Sequence, residues 1–139
     1  MGGLLWSHDL GGFYGDADPE LYVRWLNFGV FSAAFRVHSY RHTALEKRPF
    51  HFVPPHSAAM HDALLLRARL LPSFYSGAAL AQLLHQPLLR PLYYEWPDLA
   101  DVYQAEGQFL LADALMVCPP VVCRPCAHLL SHPILSEPI

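Results

Sequence analysis

The chain has 139 residues, of which 53% are apolar and only 15% charged, with a net charge of −3. That length fits one domain, and the apolar excess describes a chain whose interior-type surface is large for its size. So small a negative charge argues against a nucleic-acid partner or an anionic membrane surface. No apolar run is long enough to span a bilayer, because Arg67 and Arg69 interrupt one stretch and Asp113 the other. Residues 1–5 are too short and lack the basic start of a signal peptide, so no compartment can be read from them.

Apolar Leu4, Leu5 and Trp6 lead into Ser7, His8 and Asp9, and Gly11-Gly12 then turns the chain sharply. Asp18 suits an N-cap, Pro19 a first helical position, and Glu20 complements the positive helix start. Leu21, Trp25 and Phe28 fall at i, i+4 and i+7, which predicts one buried helical face. The run from Val30 to Val37 is short, aromatic-rich and uncharged until Arg36. Residues 4–38 therefore read as strand, helix, strand with the two strands parallel, and the polar bursts Ser7–Asp9 and Arg36–His38 stand where strands end. In a (β/α)8 barrel those ends form the catalytic face.

Residues 40–55, rich in basic and aromatic side chains and in proline, read as a long surface loop. Ser57 is the expected cap of a helix marked by Met60, Ala63, Leu64, Arg67, Leu70 and Leu71. Pro72 is expected to end or kink it, with a second helical stretch over 73–84. There Gly77, Ala78, Ala79 and Ala81 permit close packing. Residues 87–94 read as extended, 98–107 as a linker or short helix, and Leu115-Met116-Val117 as a strand.

Several of these blocks, in this order, resemble glycoside hydrolase family 31, the family of α-glucosidases and α-xylosidases. They are Trp6-Ser7-His8-Asp9-Leu10-Gly11-Gly12-Phe13, Pro19 to Trp25, Phe31-Ser32, Arg36-Val37-His38-Ser39, Leu66 to Tyr75, Pro87 to Leu92, and Gln108 to Pro119. The resemblance covers about residues 4–122. It departs mildly at Phe50, where the family usually has tryptophan, and at Ala112, where it usually has glycine. It implies an α/β fold: the last two strand–helix units of a (β/α)8 TIM barrel running into a C-terminal β-sandwich. Residues 1–97 would be barrel, 98–122 the start of the sandwich, and 123–139 a divergent, disordered tail. A complete barrel needs ~250 residues, so the missing N-terminal part of the barrel is an expected partner.

The resemblance also implies a retaining glycoside hydrolase, an α-glucosidase, acting on an oligosaccharide or glycoside substrate without a cofactor. Such chemistry needs two carboxylates about 5 Å apart. The family motifs that supply them would lie before residue 1, so no catalytic residue is assigned and the chain alone is expected to be inactive. What remains is sugar binding. His38 matches the family histidine that hydrogen-bonds the terminal sugar, a task suited to imidazole; its alternative is capping a strand end. Asp9 matches a pocket aspartate, with capping of the glycine turn as the alternative. Phe13 lines the pocket wall or belongs to the core. Arg36 and Trp6 are weaker pocket residues, and Arg36 also suits a structural ion pair beneath the site.

A different class of function is a small non-enzymatic scaffold or metal-binding protein that keeps the barrel segment. Cys123-x-x-Cys126, with Cys118, His128 and His132 nearby, could ligate zinc. A single such pair in a proline-broken segment speaks against it, and no metal site is assigned.

Overall fold

The computed structural model describes residues 6–16, 18–40, 47–105 and 107–119. Its elements are helix α1 (Pro19–Gly29), helix α2 (His56–Leu84) and three short strands, β1 (Leu89–Pro91), β2 (Phe109–Leu111) and β3 (Leu115–Val117). The chain divides into two compact units, one of residues 5–75 and the other of the remainder.

In the first unit, α1 begins as its sequence dictates. The Asp18 carboxylate accepts the Leu21 N–H at 2.7 Å, Pro19 opens the helix, and Glu20 pairs with Arg24 one turn on. The buried face differs from the expected one by one residue: it is Tyr22, Leu26 and Gly29, while Leu21 is 55% exposed. Two contacts select it. The Tyr22 hydroxyl donates to the Lys47 carbonyl at 2.7 Å, and Leu10 fills the space beside Gly29, where a Cβ would lie 2.5 Å from Leu10 Cδ2. Leu10, Tyr22, Leu26, Val30, Met60 and Ala63 form the core, with Trp25, Phe35, Val37, Phe52 and Leu70 packed against it.

The expected pair of parallel strands appears as one parallel bridge, Leu10 to Val37. Its direction is as expected, but neither flank is a strand among the described residues. Arg67 organises the segment after α1 instead. From α2 its guanidinium donates to the carbonyls of Val30 (2.8 Å), Ser32 (2.7 Å) and Ala33 (3.2 Å) and stacks 3.7 Å over the Phe74 ring. These bonds tie the carbonyls after α1 to α2. Helix α2 starts at His56, so Ser57 lies inside its first turn rather than before it, and it runs unbroken through Pro72. Pro72 and Ala68 are both exposed, so water can take the Ala68 carbonyl that Pro72 leaves without a donor.

In the second unit the strands form an antiparallel meander, β1-β2-β3, with Arg90 opposite Leu110 and Leu110 opposite Met116. β3 coincides with the predicted strand. Residues 87–94 are extended only over β1, since Leu92–Tyr94 form a 3-10 turn, and a short 3-10 helix, Ala100–Tyr103, lies in the predicted linker. Arg90 is buried and holds Asp113 at 2.6 Å and Glu95 at 2.8 Å. Ala112 adopts φ +52 in the β2–β3 turn, a left-handed backbone that explains why glycine suits the position. No helix among the described residues is long and apolar enough to cross a membrane. The expected tail, 123–139, lies outside the described residues.

Leu10 is fully buried and joins the two loop-forming segments. Leu10→Ala should therefore destabilise the first unit by about 2–5 kcal/mol, the usual range for emptying a core leucine site. Urea unfolding followed by circular dichroism measures this, and a loss below about 1 kcal/mol would show that Leu10 is not the link.

Candidate functional site

The Leu10–Val37 bridge, with Leu10 N–H donating to the Arg36 carbonyl at 3.2 Å, places the Asp9 and Arg36 ends side by side. Arg36 Nη2 donates to Asp9 Oδ1 at 2.6 Å, both side chains being partly exposed. The Asp9 carboxylate thus pairs with Arg36, and the turn beside it is closed by backbone: Gly12 N–H donates to the Asp9 carbonyl at 2.9 Å. Gly11, at φ +83, takes the position of that turn which requires a left-handed residue. Its lack of a side chain is also required by Tyr22, whose ring carbon would lie 1.9 Å from a Cβ there.

Past the turn, Phe13 reaches across to His38, the ring centroids 5.2 Å apart. The Tyr40 N–H donates to the Phe13 carbonyl at 2.9 Å and holds the two segments in register beyond the bridge. Tyr14 and Tyr40 extend the aromatic surface around Phe13. His38 is exposed. Its ring contact is with Phe13, and among the described residues no hydrogen bond from its ring nitrogens to a backbone group is seen. Thus Asp9 meets Arg36 and Phe13 meets His38. Trp6, the fifth predicted residue, is 44% exposed and stands apart from them, against His8 and Phe28.

Three side chains that position this site escaped the sequence reading. His8 is held from both nitrogens: Trp25 Nε1–H donates to Nδ1 at 2.7 Å, and Nε2 lies 3.1 Å from Ser32 Oγ. Because an indole nitrogen can only donate, Nδ1 must be unprotonated and the proton sits on Nε2, facing the Ser32 hydroxyl. Burial lowers the His8 pKa below the ordinary 6.5, and the neighbouring Asp9 charge opposes this in part. Lys47 and Arg67 are the other two, the first beneath the glycine turn and the second beneath Ser32. His8 could have been found from its place beside Asp9; nothing local marks Lys47.

Among the described residues no group of three His, Cys, Asp or Glu side chains is placed to hold a metal ion. Cys118 follows β3, while Cys123, Cys126, His128 and His132 lie outside the described residues.

The model of the glycosyl hydrolases family 31 TIM-barrel domain matches residues 1–77, more than half the chain, and that of the family's C-terminal domain matches residues 85–125. The chain belongs to glycoside hydrolase family 31. It is 35% identical over 111 residues to neutral alpha-glucosidase AB of Mus musculus, covering 80% of this chain and 12% of that protein. Among solved structures, the DNJ-bound glucosidase II alpha subunit matches with a TM-score of 0.75 at 31% identity, over 85% of this chain and 12% of that one. A family 31 alpha-glucosidase from Bacteroides thetaiotaomicron matches with a TM-score of 0.74 at 32% identity, over 84% of this chain and 20% of that one. The chain thus spans about an eighth of the curated relative's length. Within it, the family's barrel and C-terminal domain segments are both represented.

The folded state holds His8 neutral, so near pH 6.5 it binds fewer protons than the unfolded chain, and stability rises with pH there. The His8 contribution is complete above 6.5 and is lost as pH falls through its lowered folded-state value. Urea midpoints at about pH 7.5 and about pH 5.5 should fall further for the wild-type chain than for His8→Asn, which cannot titrate. Equal falls would exclude His8 as the acid-sensitive group.

Proposed function

We propose that this chain is the C-terminal part of the catalytic barrel of a retaining α-glycosidase, an α-glucosidase, comprising its last two strand–helix units and the start of the sandwich domain. Its part is to form one wall of the pocket for a terminal α-linked sugar. The observation that carries this reading is the pairing across the Leu10–Val37 bridge. His38 stands exposed beside the Phe13 ring with both nitrogens uncommitted among the described residues, which suits a sugar hydroxyl better than a strand cap. Next to it the Asp9–Arg36 pair supplies a polar rim. The alpha-glucosidase names of neutral alpha-glucosidase AB and of the Bacteroides thetaiotaomicron enzyme support the sugar class, although an alpha-xylosidase and a dextranase of the family match as well.

In this reading Asp9 is not the nucleophile. Its carboxylate is held by Arg36 at 2.6 Å as part of the pocket rim. The two catalytic carboxylates would come from other strands of the barrel, so the chain by itself binds part of the substrate without cleaving it. Phe13 lines the wall, Arg36 fixes Asp9, and Trp6 supports the strand end from behind. The purified chain should hydrolyse an aryl α-glucoside no faster than a buffer blank; turnover well above the blank would overturn this division of labour.

In an intact α-glycosidase that carries this segment, His38→Ala should remove a hydrogen bond to the sugar without touching the carboxylates. Leaving a buried hydroxyl unpaired costs about 1–3 kcal/mol, so kcat/KM should fall roughly 10- to 100-fold, with part of the loss in kcat if the bond tightens in the transition state. Thermal stability should hardly change, because His38 is exposed. Full kcat/KM combined with a lowered melting temperature would make His38 structural.

A further inference from the structure

We propose that Lys47 is a positioning residue of this site, a buried cationic clamp that sets Phe13 against His38; its role in sugar binding rests on the pocket reading above. Lys47 is only 3% exposed. Its Nζ donates to the Gly12 carbonyl at 2.7 Å and lies 3.3 Å from the Tyr14 carbonyl, the two carbonyls that flank Phe13. Three ammonium protons allow one group to hold both.

The clamp is needed because the turn is intrinsically loose. Gly11 and Gly12 both have positive φ, +83 and +82, and glycine pairs are the most costly residues to order. Nothing in their own side chains can hold them. A charge-assisted bond to each side of Phe13 removes that freedom, and such bonds are about twice as strong as neutral ones. Lys47 is itself fixed from behind. Its carbonyl accepts the buried Tyr22 hydroxyl at 2.7 Å, and the Tyr22 ring closes under Gly11. Burial pushes the Tyr22 pKa up to about 12, so the phenol keeps the proton it donates. The chain of contacts therefore runs from the core helix α1 through Tyr22 and Lys47 to the turn, and from the turn through Phe13 to His38.

Nuclear magnetic resonance of the full 139-residue chain tests the proposal. The Phe13 ring, 5.2 Å from the His38 ring, displaces the His38 imidazole proton resonances, and Phe13→Leu supplies the value without that ring. Lys47→Met should move the His38 resonances most of the way to the Phe13→Leu value, and Lys47→Arg, which keeps a cationic donor, should leave them near wild type. Wild-type resonances in a folded Lys47→Met chain would overturn the proposal, as would loss of the shift in Lys47→Arg to the same extent. Should Lys47→Met fail to fold, Lys47→Gln is read in its place. Its amide can reach one carbonyl, so an intermediate shift supports the clamp and an unchanged one refutes it. D-glucose, added as the probe, separates the two claims. Binding that moves the wild-type His38 resonances and weakens roughly tenfold in Lys47→Met supports the full proposal. If glucose leaves wild-type His38 unmoved, the sugar reading fails while the ring shift still decides the clamp. Weakened glucose binding with an unchanged ring shift would mean that Lys47 does not act through Phe13.

Discussion

The candidate site depends on one apolar contact, the burial of Leu10 against Gly29. Leu10 has no exposed surface, and helix α1 can approach it only because residue 29 has no side chain. With Leu10 seated, its backbone N–H meets the Arg36 carbonyl, and the polar ends on either side of it come together in one register. A shift of one residue in either segment would carry Asp9 away from Arg36 and Phe13 away from His38. The hydrophobic term therefore sets which polar groups meet, while the polar contacts themselves contribute little net energy at an exposed surface.

Around that contact three charged or polar side chains bring order to backbone that has no ladder of its own. Arg67 collects the carbonyls after α1, Lys47 those of the glycine turn, and His8 ties the start of the motif to Trp25 and Ser32. Each reaches across more than fifteen residues of sequence. Among the described residues His38 stands exposed above this support, with only its ring contact to Phe13 seen. Under the proposed function, that support would hold the pocket wall in place.

Much of this was legible in the sequence where the signal is local. Asp18-Pro19-Glu20 marks the start of α1, Gly11-Gly12 the turn, and the family blocks the pairing of the Asp9 and His38 ends. What was not legible depends on distant residues. The buried face of α1 follows Tyr22 rather than Leu21, because the Lys47 carbonyl and Leu10 decide it and neither lies on the helix. Among the described residues the expected strands are reduced to a bridge, and the Arg67 contacts that organise the segment after α1 come from some thirty residues on. Pro72 does not break α2, since it falls on an exposed face where the missing bond is cheap. His8 looked like part of a motif, and only its two ring contacts show it to be an anchor.

The central claim is that this segment carries a working wall of a family 31 sugar pocket. It is tested most directly by exchange. Residues 6–119 would replace the matching segment of the Bacteroides thetaiotaomicron family 31 alpha-glucosidase, to which the chain is 32% identical. The decisive measurement is kcat/KM of the folded chimera on an aryl α-glucoside. The account predicts clear turnover above background, abolished or sharply reduced when His38 is changed to alanine within the graft. A folded chimera without turnover, or one whose turnover is indifferent to His38, would contradict it.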